Sequence, residues 1–156
     1  MASPHRFIIL YDGVCRLCAT VVRFVYTRDP GASLSFCAIQ SAAAAPLLAA
    51  AGVPPSEALK SFIFYDVEAG VALRRSSAAL AIARHLGGAW AVAAWWAAWV
   101  PATARDWLYD AVAARRYALF GKAEEGELCL APTRRVLARF VDADEIKAAL
   151  AKRKAD

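Results

Sequence analysis

Two cysteines two residues apart, Cys15 and Cys18, stand in the octapeptide Tyr11-Asp12-Gly13-Val14-Cys15-Arg16-Leu17-Cys18. A C-x-x-C pair serves three chemistries: half of a zinc site, a structural disulfide, or a dithiol that cycles between reduced and oxidised forms. Zinc asks for four ligands, usually as a second paired motif. Here Cys37 and Cys129 are isolated, and His5 and His85 have no ligand partner at a useful spacing. A metal reading would need an outside ligand such as Cys129 or Asp12. The redox reading has better physical support. Cys15 falls where a helix begins, so free backbone N–H groups and the positive end of the helix dipole favour a thiolate. Arg16 adds positive charge, and Cys18, three positions later, comes within disulfide range on the same face. Cys15 is expected to be the exposed nucleophile and Cys18 the more buried resolving thiol. Such a dithiol needs no cofactor beyond its own Cys15–Cys18 disulfide. Its partner would be a protein or small-thiol disulfide, met through a mixed disulfide on Cys15.

Asp12 admits two roles. It can take the proton of Cys18 during resolution, or it can be a turn residue that binds backbone amides. Gly13 is expected at a positive φ in that turn. Tyr11, Gly13 and Arg16 are taken as supporting residues of the motif. Cys37 lies mid-strand and is expected to be inert core. Cys129 reads as a buried residue or as a third redox thiol.

These side chains are positioned by a legible series of elements. Arg6–Tyr11 is an apolar strand, bounded by Asp12-Gly13. Cys15–Thr27 repeats Cys18, Val21, Val22 and Val25 at helical spacing and is stopped by Asp29-Pro30-Gly31. Leu34–Ile39 is a second strand, followed by a helix beginning near Ala45. Ser61–Asp66 and Val71–Arg74 form an antiparallel hairpin. A helix capped by Ser76 or Ser77 then runs to Leu86, ended by Gly87-Gly88. The helical crossover between the first two strands makes them parallel. The β-α-β-α-β-β-α order, with C-x-x-C between the first strand and first helix, resembles the thioredoxin fold over residues 1–88. The fold class is therefore α/β, and residues 89–156 read as a helical C-terminal extension packed on that core within one domain. It holds helices over Asp106–Phe120, Pro132–Phe140 and Ala143–Arg153, the last capped by Asp142 or Asp144.

At 156 residues, 60% hydrophobic and 21% charged, the chain can bury a real core, and extensive disorder is excluded. The net charge of +5 comes from scattered residues. No basic stripe interleaved with aromatics marks a nucleic-acid surface. The start is too short in apolar residues for a secretory leader, so a cytoplasmic protein is expected. Leu86–Ala104 carries no charge over nineteen residues. Gly87, Gly88 and Pro101 leave it too few helical positions for the roughly 20 residues of a membrane span. Its tryptophan-rich segment, residues 90–99, is expected to be a buried helix. Contact with a membrane surface or a partner protein is the second reading, and gives the chain an alternative role as a non-enzymatic binding module.

The motif also resembles the D-x-x-C-x-x-C signature of the DCC family, thioredoxin-like thiol-disulfide oxidoreductases. Gln40-Ser41, the Arg75–Ala78 run, Asp106 with Tyr109, Arg116-Tyr117, and Cys129 with Pro132 look like that family's later landmarks. The resemblance implies a thioredoxin-like core, a helical C-terminal addition and dithiol activity. One feature departs from thioredoxins: the cis-proline that precedes their third strand has no counterpart near Lys60-Ser61. Cys-Arg-Leu-Cys also differs from their Cys-Gly-Pro-Cys. Substrate docking and redox potential are therefore expected to differ.

Overall fold

The computed structural model describes residues 5–123 and 130–155, so Cys129 lies outside the described residues. β1 (Phe7–Tyr11), α1 (Arg16–Arg28) and β2 (Leu34–Ala38) come first, then the short helices α2 (Ala44–Ala50) and α3 (Pro55–Ala58). β3 (Ile63–Asp66), β4 (Val71–Arg74) and α4 (Arg75–Leu86) follow, and apart from the additional short α3 this is the order read from the sequence. The sheet runs β2-β1-β3-β4, with β1 parallel to β2 and antiparallel to β3, and β3 antiparallel to β4. This is a mixed α/β fold of thioredoxin-like form. α5 (Gly88–Ala97), α6 (Ala102–Phe120), α7 (Arg134–Leu137) and α8 (Ala143–Ala155) follow as its helical C-terminal part.

β1 is apolar throughout because both of its faces are covered. Ile9 and Tyr11 point into one core layer with Val22 and Val25 of α1 and Ala78 and Ile82 of α4. Ile8 and Leu10 point into the other, against Ala44 and Leu48 of α2 and Ala58 of α3. Burying each of these Ile, Leu and Val side chains contributes about 1.5–3 kcal/mol. Cys37, on β2, belongs to the second layer, across the sheet from Cys15 and Cys18. Its side chain is fully buried, which pushes the thiol pKa up to about 12.

The outer edge of β2 is covered rather than left open. Phe36 N–H donates to Arg139 O at 2.8 Å, and Val141 N–H donates to Phe36 O at 2.9 Å. Covering an edge strand removes a template for unwanted pairing. Arg139 also reaches under this edge to Asp29 Oδ2 at 2.6 Å and Leu34 O at 2.7 Å, a buried ion pair at the end of α1. Asp29 therefore ends the helix and anchors the C-terminal segment as well. Asp142 does not spend its side chain on capping α8: its Oδ2 accepts Ala38 N–H at 3.3 Å.

β4 enters α4 with no intervening loop. Arg75 takes φ +54°, a conformation that costs a residue with a Cβ about 1–3 kcal/mol. Asp106 holds the junction by accepting from both the amide and the hydroxyl of Ser76, while Asp110 pairs with Arg75 at 3.4 Å. Those bonds also hold the Asp106 carboxyl below its ordinary pKa. Ser76 is thus tied to α6 instead of capping α4, and α4 has no side-chain N-cap.

The tryptophan-rich helix departs most from expectation. α5 rests on α4 through Ala94, its sole buried residue; Trp95, Trp96 and Trp99 face outward, while half-exposed Trp90 meets the Phe24 ring of α1 edge-on. Among the described residues no helix is long and apolar enough to cross a membrane.

Candidate active site

β1 stops at Tyr11, which is buried in the core, and the chain turns through Asp12, Gly13 and Val14 into α1. Asp12 builds the turn. Its carbonyl accepts Cys15 N–H at 3.2 Å, and its Oδ1 accepts Val14 N–H at 3.1 Å. Gln40, just past β2, locks the turn from the side. Its Oε1 accepts Gly13 N–H at 2.9 Å, and its Nε2 donates to Asp12 Oδ1 at 2.7 Å. The sequence points to a positive φ at Gly13, but Gly13 is not among the positive-φ residues. Space is the reason for glycine: a Cβ there would stand 3.2 Å from Gln40 Oε1 and 3.3 Å from Ala38 Cβ.

Cys15 is the N-cap of α1, and its Sγ accepts the backbone N–H of Cys18 at 3.3 Å. That bond brings the two cysteines together at the first turn, and both are free thiols. The expected exposure of Cys15 is not found. Cys15 is 0% exposed and Cys18 5%. Cys15 belongs to the core cluster, and the segment just after α6 pairs with its backbone turn: Lys122 forms a β-bridge with Cys15, and Ala123 N–H donates to Val14 O at 2.8 Å. Nothing near the motif announces a strap that arrives from more than a hundred residues downstream. Arg16 is exposed, its stem beside Gly121.

The cation at the centre of the site is Arg116. It is 8% exposed and donates to Asp12 Oδ2 at 3.3 Å and to Leu59 O at 2.5 Å. Tyr117 donates its phenol proton to the same Asp12 oxygen and accepts from Arg116 at 3.2 Å. Burial, then the hydrogen bond to Asp12, raises the Tyr117 pKa. Asp12 is therefore a turn residue at one oxygen and the partner of a buried Arg-Tyr pair at the other. Burial is also the main reason that the Cys18 thiol is pushed far above the ordinary thiol range. Cys15 and Asp12 add to the rise, and Arg116 opposes it.

A cavity of about 580 Å³ lies beside this cluster, between α1, α4, α5 and α6. Asp12, Cys18, Tyr109 and Arg116 line it together with mostly apolar side chains, and Cys15 does not. Tyr109 accepts Phe62 N–H at 2.9 Å and so holds the segment leading into β3, where thioredoxins place their proline. No cis peptide bond occurs among the described residues. Nor do three or more His, Cys, Asp or Glu side chains cluster there as a metal site would require.

In the sequence Gln40, Arg116 and Tyr117 stand only as landmarks of a resemblance, with no role attached to them. An Arg-Tyr pair inside an alanine-rich helix gives no local sign of a carboxylate 104 positions away.

A strand-to-helix turn with two cysteines in this sheet defines a thioredoxin-like dithiol protein. The chain belongs to the DCC1-like thiol-disulfide oxidoreductase family, whose family model matches residues 9–122. It is 38% identical over 138 residues to the uncharacterized protein YuxK of Bacillus subtilis (strain 168), covering 88% of this chain and 95% of that protein. It is 37% identical over 126 residues to a chloroplastic DCC family protein of Arabidopsis thaliana, covering 81% of this chain and 72% of that protein. No solved structure matches the chain.

Proposed function

We propose that this protein is a thiol-disulfide oxidoreductase in which Cys15 and Cys18 alternate between dithiol and disulfide. The observation that carries the reading is the Cys18 N–H donated to Cys15 Sγ at the start of α1, a bond that holds the two cysteines together in one turn. Cys15 Sγ attacks one sulfur of a substrate disulfide, and the other sulfur leaves as a thiolate and takes up a proton. Cys18, after losing its proton, attacks Cys15 Sγ in the mixed disulfide and expels the second substrate thiolate. The substrate gains two electrons and two protons, and the protein keeps the Cys15–Cys18 disulfide. Asp12, whose charge bears on Cys18, is the proposed proton acceptor. Arg116 and Tyr117 position that carboxylate. Substrate reaches Cys15 when the Lys122–Ala123 strap lifts. A cytoplasmic setting is part of the proposal: there the pair rests reduced and serves as a reductant toward protein or small-molecule disulfides.

One observation favours a second assignment within the same chemistry. Cys18, not Cys15, lines the cavity, so an apolar disulfide entering there would meet Cys18 first. A single experiment separates the two. The wild type, Cys15→Ser and Cys18→Ser are equilibrated in glutathione buffers from roughly −100 to −350 mV, alkylated, and read by mass. A reversible two-electron transition lost in both variants, with mixed disulfide accumulating only in Cys18→Ser, is the expected result. Accumulation only in Cys15→Ser reverses the roles. Free thiols at every potential would refute the enzyme and leave a thioredoxin-like binding module.

A further inference from the structure

We infer that the α5–α6 hairpin is a docking surface for an anionic lipid bilayer. All five tryptophans of the chain lie on it and all are exposed: Trp90 43%, Trp95 53%, Trp96 65%, Trp99 73% and Trp107 73%. Leu108, 60% exposed, continues the face on α6. A water-soluble surface seldom gathers large side chains in this way unless something covers them. Tryptophan is also the side chain best suited to the boundary between hydrocarbon and headgroups, with an apolar body and one N–H.

The charges around the face select the occupant. Between residues 84 and 122 there are two acids, Asp106 and Asp110, and both are engaged: Asp106 by Ser76, and Asp110 by Arg75. Arg116 is neutralised by Asp12. Arg84, Arg115 and Lys122 are exposed and have no ion pair among the described residues. A second copy of the chain would bring these like charges together. An acidic lipid surface complements them, with each cation adding to the attraction. The hairpin lies on the bilayer and does not cross it. α5 has 10 residues, about 15 Å at 1.5 Å per residue, half the roughly 30 Å of a hydrocarbon core.

The face is continuous with the cavity, because exposed Trp90 and Leu108 also line the space beside Cys18. A docked molecule would turn the mouth of that cavity toward the membrane. The docking surface does not depend on the redox reading and stands if that reading fails.

The test uses the whole protein with vesicles of phosphatidylcholine alone and of phosphatidylcholine with about one-third phosphatidylglycerol. Cosedimentation and a blue shift of tryptophan emission are expected with the acidic vesicles only. Trp95→Ser/Trp96→Ser/Trp99→Ser should lose at least roughly tenfold in affinity, and Arg84→Glu/Arg115→Glu should lose roughly fivefold per reversed residue or more. These side chains are exposed, so unchanged circular dichroism and melting show that the variants are folded. Equal binding to pure phosphatidylcholine overturns the acidic-lipid assignment. Absence of binding to both vesicles overturns the proposal, and a concentration-dependent dimer abolished by the tryptophan variant would reassign the face to self-association.

Discussion

Removing Arg116 tests the buried cluster at the centre of the site. Arg116 and Asp12 have side chains 10% and 3% exposed, so little solvent screens their interaction. Arg116→Met keeps most of the stem's volume and removes the guanidinium. Asp12 would retain Val14 N–H, Gln40 Nε2 and Tyr117 O–H, but no cation, and Leu59 O would lose the donor now at 2.5 Å. Breaking a buried ion pair at one partner costs about 3–5 kcal/mol, a large share of the 5–15 kcal/mol that holds a typical domain. With a urea slope of about 2 kcal/mol/M, the unfolding midpoint should fall by about 1.5–2.5 M. Equilibrium unfolding at pH 7, followed by circular dichroism and by fluorescence, measures this. Asp12→Asn completes a double-mutant cycle. The double variant should be more stable than the sum of the singles predicts by about 1 kcal/mol or more, because neither charge is then stranded. A midpoint shift under about 0.5 M, or strictly additive losses, would show that Arg116 and Asp12 do not act as a pair.

Three further outcomes follow from particular contacts. Ala123→Pro deletes the N–H that ties the strap to Val14, a bond worth about 1 kcal/mol, so iodoacetamide should modify Cys15 roughly fivefold faster, and an unchanged rate would show that the strap is not the cover. Gly13→Ala places a methyl 3.2 Å from Gln40 Oε1 and should cost about 1–3 kcal/mol in thermal unfolding, whereas a φ effect, absent here, would leave Gly13→Asn the better tolerated variant. Burial raises the pKa of Asp142, and its Oδ1 has no partner. Its ionisation therefore costs the folded state, and this cost appears as pH climbs from the ordinary carboxylate range through the raised folded value. Asp142→Asn should accordingly raise the urea midpoint relative to the parent at pH 7 and not at pH 3; the reverse pattern would refute the assignment.

Much of the scaffold is written locally. The run Phe7–Tyr11 is apolar at every position because β1 is covered on both faces, and that pattern can be read without knowing what covers it. The C-x-x-C pair declares its own geometry too: three residues along a helix start bring both sulfurs to one turn wherever that turn lies. The parallel pairing of β1 with β2 follows from the crossover helix, and the β3–β4 hairpin from its short turn.

What the chain could not declare is set by contacts between distant positions. Cys15 has the spacing of an exposed nucleophile, yet it lies in the core, with Lys122 and Ala123 paired to its turn. Asp12 looks like a turn residue until Arg116 and Tyr117 arrive at its second oxygen. Gly13 owes its identity to Gln40, and Ser76 leaves its helix cap for Asp106 because α6 passes beside α4. The tryptophan helix carries the composition of a core element, and only its packing in the fold decides that small Ala94 goes inward and that Trp95, Trp96 and Trp99 stay exposed. Sequence determines which residues neighbour along a helix or strand, since backbone geometry repeats. Burial, charge pairing and exposure belong to whichever surfaces the fold brings together, and those are fixed only by packing.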